Sequence, residues 1–381
     1  MSIANRPRFT GRSIVLFRQD AVAEGVQLLS QTVTTRSTDS IVCFENLGVA
    51  VVDATPDELS VNTRSLTDSP ILAIEPERFF YPIVNLQDAP ESPALDEEEH
   101  TWGLKATGVI DSLATGAGIK VAILDTGLDL QHPDFEGRTI VTKSFVPDED
   151  VQDVAGHGTH CAGTACGAFK PKAAPRYGVA HEAEIYVGKV LGNSGFGNTE
   201  WVLAGMQWAV DNDCHIISMS LGSATEPGES YSDFYETLAR RILDRGTLIV
   251  AAAGNESTRE SGVIKPVASP ANCPSIMAVA ALDPSLQVAD FSCGGTENEG
   301  GEVDIAAPGV NVYSSVPMPT QYDRFNGTSM ATPHVAGIAA LYAQTTGFRG
   351  RELWAALIQN ALSLDLPSTD VGIGLAQAPI E

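Results

Sequence analysis

Short apolar runs rich in β-branched residues recur along the chain beyond residue 100: "IKVAILD" (119–125), "EIYVGKV" (184–190), "HIISMSL" (215–221) and "GTLIVAAAG" (246–254). Their apolar residues are consecutive rather than alternating, the pattern of strands covered on both faces. Between them, 200–210 and 232–245 carry helical spacing. Strands joined by helical crossovers predict an α/β fold in which a central parallel sheet is layered between helices. In such sheets ligands gather beyond the carboxyl ends of the strands.

The first part reads differently. "SIVLF" (13–17), "VAVVDA" (49–54) and "ILAIEP" (71–76) are strand candidates. Residues 21–31 read as a helix, and Thr55 with Glu58 three residues on forms a capping-box start to another, through about Leu66. Strands and helices alternating in so short a segment predict a small α+β, ferredoxin-like unit over residues 10–83. Residues 84–100, "VNLQDAPESPALDEEEH", are acidic, proline-containing and aperiodic, and predict an exposed linker before a larger domain at 101–381.

Composition narrows the class. The 381 residues are 43% hydrophobic and 19% charged, too apolar for a disordered chain, and no uninterrupted apolar run reaches a membrane span of about 18 residues. A formal charge of -25 argues against nucleic acid or an anionic membrane as partner. Residues 1–20 carry Arg6, Arg8, Arg12 and Arg18 without an apolar core, so they show no secretory signal, and either a cytoplasmic location or another export route is expected. Cys43, Cys161, Cys166, Cys214, Cys273 and Cys293 lack paired metal spacing and are expected as free thiols.

One stretch poses a chemical question. In "NGTSMATPH" (326–334), Asn326 and Gly327 form a turn, Thr328 or Ser329 is placed to cap the following helix, and Pro333 is expected in its first turn. A serine at a helix N-terminus is a cap or a nucleophile. As a nucleophile it needs a base, most often histidine, and the base needs a carboxylate. Asp125 ends one apolar run, His157 stands in "GHGTH", and Asn255 follows "VAAAG" as an amide donor for an oxyanion. Each has a plainer reading as a turn or helix-start residue, and their coincidence at strand ends and helix starts favours the chemical one.

In order, "AILDTGLD", "GHGTHCAGT", "SMSLG", "AAAGNE" and "NGTSMATPHVAG" resemble the subtilisin-like serine proteases from about Trp102 to Tyr342. The resemblance implies a three-layer subtilisin-like fold and a serine endopeptidase, with Asp125 orienting His157 as base, Ser329 as nucleophile and Asn255 in the oxyanion hole. Gly195, Phe196 and Gly197, with Ser220, Leu221 and Gly222, would be the edges that receive a polypeptide substrate as an added strand. Ala253 and Gly254 would line the cleft, with Ala268 near the base of the S1 pocket and Leu221 on the S4 side. Without a carboxylate at the pocket except Glu256, a solvated rim residue, an apolar or aromatic P1 is expected. Cys161 resembles the proteinase K-like branch, where a small buried hydrophobe and a reactive thiol are both open readings.

The upstream unit then resembles a propeptide, made with the enzyme as a zymogen and acting as an intramolecular inhibitor whose tail near Phe79 to Ile83 enters the cleft. About twenty residues separate Ile83 from Gly103, more than the pattern leads one to expect, so the cleavage point stays open. The chemistry needs no cofactor, and structural calcium is possible. The loop "GAFKPKAAPRYG" (167–178) carries Lys170, Lys172 and Arg176 and no carboxylate, which disfavours a hard dication. Glu302 and Asp304 are weaker metal candidates, more plainly a solvated turn and a structural Asp. A monomer is expected. The other readings are a maturation protease for one partner and an inactive, propeptide-locked binding protein.

Overall fold

The computed structural model describes residues 7–32, 41–63, 69–84, 95–295 and 300–380. Strands β1 (Phe9–Phe17), β2 (Ile41–Phe44), β3 (Val49–Val52) and β4 (Ile71–Pro82) form an antiparallel sheet in the order β4-β1-β3-β2, with helices α1 (Val22–Thr32) and α2 (Pro56–Thr63). Thr55 and Glu58 exchange capping hydrogen bonds at the start of α2, whose expected end near Leu66 lies outside the described residues. Alternation along β1 explains its apolar run. Val15 and Phe17 pack with Leu29 and Leu59, whereas Ile14 and Leu16 join the core of the larger sheet's helices. The strand is covered on both faces because the whole unit lies against the rest of the chain.

The larger sheet is parallel throughout. It contains β5 (Lys120–Asp125), β6 (Ile140–Ser144), β7 (Glu184–Lys189), β9 (Ile216–Met219), β11 (Leu248–Ala252), β12 (Met277–Leu282) and β13 (Ile305–Pro308), ordered β13-β12-β11-β9-β5-β7-β6. Two short edge pieces, β8 (Gly197–Asn198) and β10 (Leu221–Gly222), stand apart from it, as does the hairpin β14 (Val312–Ser315) and β15 (Tyr322–Phe325). After α3 (Trp102–Ala106), the helices are α4 (His157–Cys166), α5 (Thr199–Asp211), α6 (Asp233–Asp244), α7 (Thr328–Thr346), α8 (Gly350–Asn360) and α9 (Ser368–Val371). Val121 and Ile123 of β5 pack with α4 and α7, while Ala122 and Leu124 pack with α5 and α6. This is the three-layer arrangement expected from the apolar runs.

Three expectations are corrected. The strand foreseen at 71–76 runs on to Pro82, because β8 and β10 supply hydrogen-bonding partners for its last residues. The stretch 84–100 is not simply an exposed linker. Val84 packs against the main core, and Glu97 accepts the Trp102 N–H at 2.6 Å and pairs with Arg324, while 85–94 lie outside the described residues. Neither Thr328 nor Ser329 caps α7: Gly327 holds that position without a side-chain cap, and Pro333 stands in the second turn. Among the described residues no helix is long and apolar enough to cross a membrane.

Candidate active site

The sheet explains how distant residues converge. Asp125 ends β5 in register with Lys189 at the end of β7, and His157 opens α4 across the loop that follows β6. Its imidazole Nδ1 lies 2.7 Å from Asp125 Oδ1, with both side chains buried. The Thr126 N–H donates to the same carboxylate oxygen at 2.7 Å, which fixes its orientation. Thr126 Oγ1 accepts the Gly158 N–H and donates to Asp153, so one small hub holds the end of β5 to the start of α4.

Burial pulls the His157 imidazole toward neutrality, but the attraction of the Asp125 carboxylate outweighs it and leaves the pKa well above the ordinary histidine value. Cys161 Sγ sits 3.9 Å from His157 Nδ1. Burial raises the pKa of this sulfur above its usual value, keeping it a thiol, so the carboxylate is what stabilises the imidazolium.

Ser329 lies in the first turn of α7, wholly buried, and its hydroxyl donates to the Ser220 carbonyl at 2.9 Å. His157 Nε2 is buried without a hydrogen-bond partner. The serine hydroxyl is therefore turned to the cleft edge rather than to the imidazole. Pro333 has a local consequence here. Lacking an N–H, it leaves the Ser329 carbonyl without its helical partner four residues on, and that oxygen accepts the Ser220 hydroxyl at 2.8 Å and the Cys161 thiol at 3.5 Å. A proline in the second turn is tolerated because side chains replace the missing bond.

The upstream strand passes through this site. Phe79 and Phe80 pair with Asn198 and Gly197 on one side, and Tyr81 and Pro82 pair with Gly222 and Leu221 on the other. The Ile83 N–H donates to Ser220 O at 3.4 Å, and the Ile83 carbonyl accepts Asn255 Nδ2 at 3.0 Å. Asn255 is held for this by its Oδ1, which accepts the Thr328 N–H at 3.0 Å and the Thr328 hydroxyl at 2.9 Å. Gly327, at φ 155°, has to be glycine: a Cβ there would lie 2.5 Å from the Ile83 oxygen.

The expected cleft residues divide. Gly197, Ser220, Leu221 and Gly222 contact the strand as backbone edges, and Phe196 meets the Phe79 ring edge-on at 5.4 Å. Gly195 turns the loop, at φ 79°. Ile83 packs on Ala252 and Ala268. Ala253 points instead into the main core, because alternate residues at the end of β11 face opposite ways, and Ala252 takes the place expected for it. Gly254 lies beside Ala268, its N–H donating to Thr328 Oγ1 at 3.1 Å. Phe80 is fully buried with Leu221, Val202 and Tyr235, its ring edge-on to Tyr235 at 5.9 Å.

Calcium finds no matching donor set in the loop 167–178. Asp134, the carboxylate beside it, accepts Lys172 N–H at 2.9 Å and the hydroxyls of Tyr177 and Tyr322 at 2.8 Å each. The Arg176 guanidinium occupies the carbonyls of Gly178 and Val179, and Arg138 those of Cys166 and Ala183. A dication needs six or more free oxygens, so these residues do not fit it. Asp304 accepts the Ala278 N–H at 2.8 Å, and Glu302 and Asp304 are joined by no third ligand-type side chain among the described residues. All six cysteines are free.

Comparison with known proteins supplies the family. The model of the subtilase family matches residues 116–374, more than half the chain and the whole span from before Asp125 to beyond Ser329. The chain belongs to the subtilase family. This subtilase is 42% identical to subtilisin E of Bacillus subtilis over 240 residues, which cover 62% of this chain and 58% of that protein. It is 34% identical to the major intracellular serine protease of Bacillus subtilis over 304 residues, 77% of this chain and 88% of that one. Among solved structures it is similar to fervidolysin from Fervidobacterium pennivorans, a keratinolytic enzyme related to subtilisin, with a TM-score of 0.76 and 26% identity over 98% of this chain and 62% of that one. The chain thus spans less than two thirds of the length of several relatives it matches.

Proposed function

We propose that this subtilase is a serine endopeptidase made as a self-processing zymogen, and that the bond it cuts first is Ile83–Val84. One observation carries the reading: a strand of the same chain lies between both cleft edges and delivers its Ile83 carbonyl to the Asn255 amide. Residues 10–83 then act as a propeptide and 101–381 as the peptidase domain.

In the reaction the Ser329 hydroxyl swings from Ser220 O toward His157 Nε2, which takes its proton as Oγ attacks the carbonyl carbon. Asp125 holds Nδ1 and stabilises the imidazolium. Negative charge moves to the carbonyl oxygen, where Asn255 Nδ2 and the Ser329 N–H, one of the helix-start donors without an intrahelical partner, receive it. His157 returns the proton to the departing amine, and water then releases the acyl group. Polypeptide is the substrate, bound as an added strand, with an apolar P1 side chain on Ala252 and Ala268 and an aromatic P4 on Tyr235.

The test is the Ser329→Ala chain. It should stay full length, while the wild-type chain yields a new amino terminus at Val84, read by mass spectrometry. Equal processing in both chains defeats the proposal.

A further inference from the structure

The side chain of Lys189 has no surface exposure, a costly setting for an ammonium, and nothing in the proposed chemistry uses it. It closes β7 opposite Asp125, and the backbone N–H groups of the next two residues, Val190 and Leu191, both donate to the Asp125 carbonyl. Its Nζ has three acceptors on three segments. Thr126 O lies at 2.5 Å, Asn193 Oδ1 at 2.9 Å, and Glu149 Oε2 at 3.5 Å. Thr126 leads to one part of the site, and Asn193 and Glu149 together lead to another.

Thr126 is the hub that orients the Asp125 carboxylate through its N–H and reaches the start of α4 through its hydroxyl. Asn193 belongs to the loop carrying one cleft edge: its N–H donates to Glu149, and the neighbouring Gly192 N–H donates to Phe196 O, just before the Gly197 that pairs with Phe80. Three donors on one flexible stem fit three acceptors converging from different directions, which a planar guanidinium or an apolar chain would not.

We infer that Lys189 is a positioning residue that ties the Asp125–His157 pair to the 192–197 edge of the cleft. This rests on the reading that Asp125 and His157 act with Ser329. Removing the ammonium frees the Thr126 carbonyl and the Asn193 side chain together. Hydrolysis therefore loses both the set of the carboxylate and the seat for residues P4 and P5, the positions of Phe80 and Phe79, which pair along that edge. A substrate long enough to use the edge should lose more than a short one.

The experiment compares Lys189→Met and Asn193→Ala with the parent protein, each as the full chain. The first readout needs no activity. In chains that also carry Ser329→Ala, the downfield proton NMR signal of the His157–Asp125 hydrogen bond should be displaced or broadened by Lys189→Met and retained in Asn193→Ala. The second is kcat/KM on a five-residue peptide relative to a single-residue ester, in the chains with Ser329 intact. That ratio should fall about tenfold in both variants, with kcat itself lowered by about tenfold or more in Lys189→Met alone. An unchanged signal in folded Lys189→Met protein overturns the inference. So does an unchanged length ratio in Asn193→Ala, which leaves the buried charge in place and does not depend on Lys189→Met folding. A displaced signal in protein whose wild type shows no Ser329-dependent hydrolysis instead sinks the proposed function and leaves the link between Lys189 and Asp125 standing.

Discussion

The Ile83 carbonyl oxygen accepts the side-chain N–H of Asn255 at 3.0 Å, although the two residues are 172 positions apart. The amide cannot turn away, because Thr328 donates twice to its Oδ1. A neutral carbonyl gains modestly from one such bond, whereas an oxyanion at the same place gains more. Replacing Asn255 by Leu should therefore lower kcat by about 10²- to 10³-fold with KM nearly unchanged, a magnitude taken from subtilisin's own oxyanion asparagine. Steady-state kinetics on a chromogenic peptide check it. A raised KM with intact kcat contradicts the assignment.

The upstream unit should inhibit the mature enzyme when added as a separate chain of residues 1–83. Its tail fills the cleft from Phe79 to Ile83, and Phe80 is fully buried against Tyr235 and Leu221. Burial of such a ring stabilises by about 1.5 to 3 kcal/mol, so Phe80→Ala in a folded fragment should weaken inhibition by about tenfold to a hundredfold. Deleting 79–83 should abolish it. A folded fragment that leaves peptide hydrolysis untouched rules the idea out.

In the proposed mechanism His157 sets the pH dependence. As the proposed base it works only when neutral, and the Asp125 carboxylate holds its pKa above the ordinary 6.5. Activity should then be low at and below pH 6.5 and rise through a midpoint above it. Departure of the upstream strand removes part of the burial that favours the neutral ring, which pushes the midpoint the same way. The profile of kcat/KM from pH 5 to 9 reports this value for the free enzyme. A midpoint at or below 6.5 would falsify the assignment of the Asp125 carboxylate as the dominant influence.

The parallel sheet was legible because its strands are buried on both faces, which writes them as unbroken apolar runs such as 119–125. Asp125, His157, Asn255 and Ser329 were legible for a related reason: each stands at a strand end or helix start beside residues too small for ordinary core packing. What the sequence hid is tertiary. The segment 77–82 contains Glu77 and Pro82 and does not read as a strand, yet Glu77 is wholly buried because Arg12 and the Glu200 N–H complete its hydrogen bonds. Ala252 and Ala253 differ only in which way the strand turns them. Lys189 did leave a signal, a charge closing an otherwise apolar buried strand, but its three acceptors are contributed by segments far apart in the chain.

Asp304 offers a test of stability apart from catalysis. Burial, reinforced by Glu302 and only partly offset by the Ala278 N–H, pushes its carboxyl up to about 7. The sign follows from linkage: a carboxyl with a raised folded pKa favours the fold in its neutral form, so its contribution is intact below the unfolded value near 3.8 and is lost as pH rises to about 7. An amide removes the charge and keeps an oxygen for the Ala278 N–H. Asp304→Asn should accordingly stabilise the protein at pH 8 by about 2 kcal/mol, a figure reduced for the residual exposure of the side chain. The gain should shrink toward zero as pH falls to about 4. Thermal melts of the Ser329→Ala chain, with and without the second substitution, measure it free of autolysis. A difference in Tm that stays constant between pH 4 and 8 would show that the carboxyl is not titrating with the fold.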